Sequence, residues 1–187
     1  MLKRTVDLLL ASVLALILFG PMLLVAISIV LSSRGPVLYW SDRIGRDNRV
    51  FKMPKFRSMK TGTPTLATHL LTRADEYLTP VGGFLRKTSL DELPQLWSIL
   101  KGDMSLVGPR PALYNQTDLI ELRTRHGVHR LVPGLTGWAQ VNGRDELPIS
   151  DKVALDVAYM KNQSWLLDIR ILCMTVFKVL ARDNILH

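Results

Sequence analysis

Residues 8–31, LLLASVLALILFGPMLLVAISIVL, carry no charge over 24 positions, and no other feature limits the fold of this chain as strongly. As one helix the segment would run about 36 Å, enough to cross a hydrocarbon core of about 30 Å. Gly20-Pro21 interrupts it near the middle. Pro21 has no N–H for the carbonyl of Ile17 and its ring crowds that carbonyl, so the sequence predicts a sharp kink. A kinked segment can span a bilayer, or it can enter one leaflet and return. Flanking charge favours return. Lys3 and Arg4 precede the segment, Arg34, Arg43, Arg46, Arg49, Lys52, Lys55 and Arg57 follow it, and basic residues hold both ends on the cytoplasmic side. A bent helix also keeps its backbone bonded everywhere except at the kink. A cleaved signal peptide fits poorly, because the apolar run is too long and no small-x-small site follows it convincingly.

The 187 residues suit one unit with a real core, made up of a membrane segment, 1–34, and a domain, 35–187. Twenty-four Lys plus Arg against 16 Asp plus Glu leave a net charge of +8, which calls for a polyanionic partner such as phosphates, nucleic acid or an anionic membrane. Nucleic acid is disfavoured: Trp40, Trp97, Trp138 and Trp165 lie in apolar settings instead of among basic runs. The single Cys173 builds neither a disulfide framework nor a thiolate cluster and suits a reducing compartment. His126 and His129 in RHGVHR lack a third ligand and read as a solvated basic turn.

Downstream, VLYW and RVFKM read as a small strand hairpin. Residues 60–78 read as a polar loop giving way to a short helix. Helical spacing at Leu93, Leu96, Trp97 and Leu100 predicts a helix there, and another covers 115–125. GPRP and VPGLTGWAQVNGR read as irregular loops. Ser150 is the expected N-cap of a helix over 151–161, and 165–181 form a last, apolar helix that packs on the domain or lies at a membrane interface. The fold class is therefore α+β, helix-dominated, with a small strand element.

DELP occurs twice, at 91–94 and 145–148. The first copy follows Arg86-Lys87. A capping box from Ser89 to Glu92 is one reading, but Pro94 would then fall inside the helix and clash. A start nearer Glu92 or Leu93 leaves Asp91 and Glu92 at a positive helix end beside cations, where carboxylates ionise and phosphate is attracted. One could attack a phosphorus while the other binds a metal. The second copy sits in a Gly-Pro loop, where Asp145 and Glu146 fill a turn or offset Arg144.

Several strings together resemble the bacterial monotopic phosphoglycosyl transferases: the kinked apolar segment, KFRSM at 55–59, LRKTSLDELPQLWSILKGDMSLVGPRP at 85–111, VPGLTGWAQVNGR at 132–144 and LDVAYMKNQSWLLDIRIL at 155–172. They run in family order along nearly the whole chain. The resemblance implies transfer of a sugar-1-phosphate from a UDP-sugar to a polyprenol phosphate such as undecaprenyl phosphate. Release of UMP and a ping-pong course through a phosphosugar on Asp91 are implied with it. Glu92 would bind Mg²⁺, while Arg86, Arg110 and Arg144 would lie near the phosphates, with Lys55 and Arg57 facing substrate or lipid headgroups. Asp168 is expected to be structural. The resemblance also implies a re-entrant helix broken at Gly20-Pro21, a catalytic domain over 35–187 seated on the cytoplasmic face of the bacterial inner membrane, and interfacial amphipathic helices. Many members have Ser-Pro where this chain has Gly20-Pro21, so a serine hydroxyl bonding back to the helix is missing. The chain begins almost at the re-entrant segment and resembles the minimal catalytic form of the family, which is associated with N-acetylated amino-sugar donors, and a homodimer is compatible with it. The competing reading is a membrane-anchored basic module that binds anionic lipid or nucleic acid without catalysis.

Overall fold

A computed structural model describes residues 2–64, 74–143 and 147–180. The fold is helix-dominated α+β, with two small sheets among the described residues. Helices α1 (Leu2–Ile17) and α2 (Phe19–Ser32) meet at a 59° bend. The break lies at Leu18, three residues ahead of Pro21, because the bond that proline cannot make is the one to Ile17. On either side the ladder is intact: the Leu18 N–H donates to Leu14 and the Met22 N–H to Leu18, both at 2.8 Å. No single helix among the described residues is long and apolar enough to cross a membrane, whereas the bent pair together is.

β1 (Leu38–Ile44) pairs antiparallel with β2 (Val50–Phe56), Leu38 opposite Phe56 and Ile44 opposite Val50. This is the hairpin expected from VLYW and RVFKM, several residues longer. Its turn passes through left-handed Asp47 and Asn48, at φ 55° and 59°, residue types whose short polar side chains tolerate that region. α3 (Gly82–Lys87) leads into a 3-10 turn, Leu90–Gln95, and then α4 (Leu96–Lys101).

β3 (Ser105–Val107) and β4 (Gly134–Thr136) form a parallel pair, connected through α5 (Thr117–Arg125). Sequence alone predicts irregular loops around these strands, since Gly and Pro are poor strand formers. In the fold, glycine is required by close approach: a Cβ on Gly134 would sit 2.1 Å from the Gly108 nitrogen. α6 (Trp138–Asn142), α7 (Ile149–Lys161) and α8 (Trp165–Leu180) complete the chain. Ser150 is not the cap of α7. The helix begins two residues earlier than expected, at Ile149 after Pro148 (φ −53°), and the Ser150 hydroxyl instead meets Asp151 Oδ1 at 3.2 Å.

Both arms of the bent pair contribute to the core. Ala11 packs with Leu96, Ile99, Met104 and Ile171, while Val25 and Ile29 pack with Phe56 and Leu85. The base of α1 is tied down by polar contacts as well. Arg4 donates to the last carbonyls of α4, at Ile99 (2.6 Å) and Leu100 (3.0 Å), a favourable place for a cation at a helix C-terminus. Buried Asp7 accepts from the Ser105 hydroxyl (2.7 Å) and the Leu106 N–H (3.2 Å). The opposite flank is bare: Leu16, Ile17, Phe19, Leu24 and Leu31 are each 66–82% exposed.

Candidate active site

The 3-10 turn Leu90–Gln95 carries both carboxylates of the first DELP. It starts from Ser89 in the left-handed region, φ 58° and ψ 17°, with no side-chain cap bond, so the capping box does not form. Tight 3-10 geometry accommodates Pro94, and α4 begins only at Leu96. β2 runs alongside and brings Lys55 to Glu92 (Nζ to Oε1, 2.9 Å). Arg110, from the GPRP segment after β3, reaches the same oxygen through Nη2 at 2.8 Å. Burial alone would raise the proton affinity of Glu92, but the charges and hydrogen bonds of Arg110 and Lys55 together outweigh it. They hold this carboxyl well below the usual range.

Asp91 is 7% exposed and makes no side-chain hydrogen bond among the described residues. Burial pushes its carboxyl up, Lys55 opposes that, the neighbouring Glu92 charge adds to it, and Arg86 and Arg110 oppose it again. Arg86, at the end of α3, donates Nε to the Ser58 hydroxyl (3.1 Å) and Nη2 to Met59 Sδ (3.2 Å). Burial loosens its proton while the Asp91 charge tightens it. The site is thus one clamped carboxylate and one unclamped carboxylate set among three cations. Such an arrangement suits an incoming anion with several phosphate oxygens.

A divalent ion also fits. Both cations occupy Oε1 of Glu92, and Oε2 makes no hydrogen bond among the described residues. Those residues hold no cluster of three or more His, Cys, Asp or Glu, so an ion would be shared between this carboxylate and the oxygens of bound phosphates, as Mg²⁺ commonly is.

Arg57 is brought elsewhere. It is 4% exposed and closes the end of α2, donating Nη2 to the Ser33 carbonyl (2.8 Å) and hydroxyl (3.0 Å) and Nη1 to the Arg34 carbonyl. Gly35, at φ +123°, is shaped by the same clamp, because a Cβ there would stand 2.6 Å from Arg57 Nη1. Cation and helix C-terminus match, which gives Arg57 a structural task at the end of α2. Asp168 receives Lys3 (2.5 Å) and the Tyr159 hydroxyl (2.7 Å), tying α1 and α7 to α8. Arg144 and the second DELP carboxylates, Asp145 and Glu146, lie outside the described residues.

Sequence reasoning passes over Arg123 and Asp156. Arg123 donates Nε and Nη2 to Asp156 Oδ2 at 2.9 and 2.6 Å, and Nη1 to the Arg110 carbonyl at 2.7 Å. The two lie 33 positions apart on different helices, so no local pattern could have joined them.

The model of one family, described as bacterial sugar transferase, matches residues 1–182. The chain belongs to the bacterial sugar transferase family. Among its relatives, the undecaprenyl-phosphate glucose phosphotransferase of Komagataeibacter xylinus is 44% identical over 97% of this chain and 36% of its own length. The UDP-glucose:undecaprenyl-phosphate glucose-1-phosphate transferase of Escherichia coli K12 is 40% identical over 95% of this chain and 40% of its own. The uncharacterized sugar transferase EpsL of Bacillus subtilis 168 is 42% identical, with 98% of this chain and 90% of EpsL covered. The chain spans about two fifths of the first two relatives. It spans nearly all of the third.

Proposed function

We propose that this bacterial sugar transferase is a phosphoglycosyl transferase. It moves a sugar-1-phosphate from a UDP-sugar to a polyprenol phosphate, undecaprenyl phosphate being the acceptor in two relatives' names. The observation that carries the reading is the unlike pair at the first DELP. Asp91 is buried, without a hydrogen bond among the described residues, and sits beside Lys55, Arg86 and Arg110, while Glu92 is held fast by two of those cations.

In the first half-reaction a carboxylate oxygen of Asp91 attacks the phosphorus that bears the sugar. The bond from that phosphorus to the UMP oxygen breaks, and its electron pair leaves with UMP. In the second, a phosphate oxygen of the polyprenol attacks the same phosphorus, and the bond to Asp91 breaks to restore the carboxylate. Splitting the transfer lets a polar and a lipid substrate be handled in turn at one group. Arg86 and Arg110, with Arg144 as a third from the sequence, contact the phosphate oxygens. Their fixed charge and planar donors suit that task. Glu92 would hold Mg²⁺, which would neutralise charge developing on the diphosphate. Burial of Asp91 keeps competing water from its oxygens.

The bent pair enters and leaves through the cytoplasmic leaflet of the inner membrane, with the bare flanks of α1 and α2 in lipid. The exposed Leu166, Ile169, Val176 and Phe177 of α8 lie at the interface. For the donor we propose an N-acetylated amino sugar, which one relative carries in its name as N-acetylgalactosamine where others carry glucose.

UMP release by protein in nanodiscs, with Mg²⁺, a short polyprenol phosphate and a panel of UDP-sugars, tests the reaction and the donor together. The panel sets UDP-glucose, named for one relative, against UDP-N-acetylated amino sugars. Release that needs one donor, the lipid and Asp91 supports the reading. Release unaffected by Asp91→Asn defeats it.

A further inference from the structure

Arg110 reaches Glu92 from a segment whose four successive carbonyls are all hydrogen-bonded. Each carbonyl from Pro109 to Ala112 is bonded by a different donor. Pro109 receives the Gly134 N–H (2.9 Å), Arg110 receives Arg123 Nη1 (2.7 Å), Pro111 receives Arg43 Nη1 (3.2 Å) and Ala112 receives the Ile44 N–H (2.9 Å). Two of these donors belong to the backbones of β4 and β1 and follow from the fold. The other two are guanidinium groups, and burying a charge to hold a loop is costly unless the charge is paired. Arg123 is paired: its side chain is 11% exposed and that of Asp156 is 0% exposed. Arg43 rests through Nε on the Ser41 hydroxyl at 2.9 Å.

All three nitrogens of the Arg123 guanidinium are engaged. Nε and Nη2 close on Asp156 Oδ2, which leaves Nη1 aimed at the Arg110 carbonyl. Asp156 Oδ1 stays buried without a hydrogen bond. A pair meant only to stabilise the α5–α7 contact could be replaced by apolar side chains, which buried pairs generally tolerate. An apolar pair would not supply the donor to Arg110.

We infer that Arg123 and Asp156 are positioning residues, a buried pair that fixes the Arg110 backbone and through it the Arg110–Glu92 contact. A bond path then runs from the interior of α7 to the reacting carboxylates: Asp156, Arg123, the Arg110 carbonyl, the Arg110 guanidinium, Glu92. The kinetic arm of the test rests on the proposed transfer reaction, and the thermal arm does not.

The test uses full-length protein in nanodiscs and a double-mutant cycle on thermal unfolding: wild type, Glu92→Gln, Arg123→Lys and both together. Lysine keeps a charge beside Asp156 but cannot hold the carboxylate and the carbonyl with one planar group. Separated sites without a link add their effects. With the link in place, the Tm loss from Glu92→Gln falls by half or more in the Arg123→Lys background, because the Arg110 contact is already loosened. Additive losses overturn the inference. The second arm is Arg123→Met combined with Asp156→Leu, an apolar pair of similar volume, which also replaces Arg123→Lys in the cycle should that variant not fold. Its Tm lies near the wild-type value while kcat/KM for the UDP-sugar falls about tenfold. If the apolar pair restores turnover together with stability, the pair is merely structural and the inference fails. If the wild type turns over no donor, the transfer reading falls on its own and the thermal cycle alone decides this one.

Discussion

Asp91 and Glu92 are adjacent in the chain, yet their protons answer to opposite forces, and this has a consequence for stability. Asp91 holds its proton more tightly in the fold than when unfolded, chiefly through burial. Its contribution to stability is present below the ordinary aspartate range, about pH 3.9, and is lost as pH rises through the folded value. Glu92 is held below the ordinary range by Arg110 and Lys55 acting against burial. Its contribution is present above about pH 4.3 and is lost as pH falls toward the folded value. At pH 7 Asp91→Asn therefore melts at or above the wild-type temperature, and the gap narrows on acidification, although transfer drops roughly 10³-fold or more. Glu92→Gln melts lower at pH 7, by the equivalent of about 1–3 kcal/mol, because Lys55 and Arg110 lose the negative charge of their partner. That loss shrinks as pH falls below about 4.3. Thermal scans of the three proteins from pH 7 down to about pH 2.5, through and below the ordinary carboxylate range, check both signs, and shifts of the same sign in the two variants at pH 7 would contradict the opposed electrostatics of the pair.

The bent pair is the element on which membrane placement depends. A cysteine at Leu2, in a Cys173→Ser background because Cys173 is exposed, stays shielded from a membrane-impermeant thiol reagent in intact cells with a permeable outer membrane. It is labelled once the inner membrane is opened, whereas labelling of intact cells would mean that the pair spans. The bend itself is legible in the sequence, because proline's missing donor is a local fact, and so is the hairpin with its polar turn. Pro94 forbids a regular helix from Ser89, but the helix expected to start near Glu92 or Leu93 begins only at Leu96, and the carboxylates sit in a 3-10 turn ahead of it. The β3–β4 pair is not, since Gly108 and Gly134 are selected by a backbone approach between distant parts of the chain. The start of α7 escapes because Pro148 sets the helix entry ahead of the better capping residue, Ser150.

Across the whole molecule, long-range polar contacts decide what the chain pattern leaves open. Asp7 binds Ser105 and Leu106, Lys3 binds Asp168, and Arg123 binds Asp156. Each joins elements far apart in sequence. Together they tie α1 to β3 and α8 and α5 to α7, while Leu90 and Leu93 of the turn bearing Asp91 and Glu92 pack on the cluster of Val25, Ile29, Phe56 and Leu85. A site in that position can receive a water-borne donor and a lipid-borne acceptor one after the other, and the chemistry proposed for it is covalent. Protein in nanodiscs given Mg²⁺ and its UDP-sugar, with no polyprenol phosphate, should release one UMP per site. It should gain the mass of a sugar phosphate on the peptide holding Asp91. Added polyprenol phosphate should discharge that mass, and Asp91→Asn should never acquire it. UMP release only when both substrates are present, with no adduct on any peptide, would contradict a covalent course through Asp91.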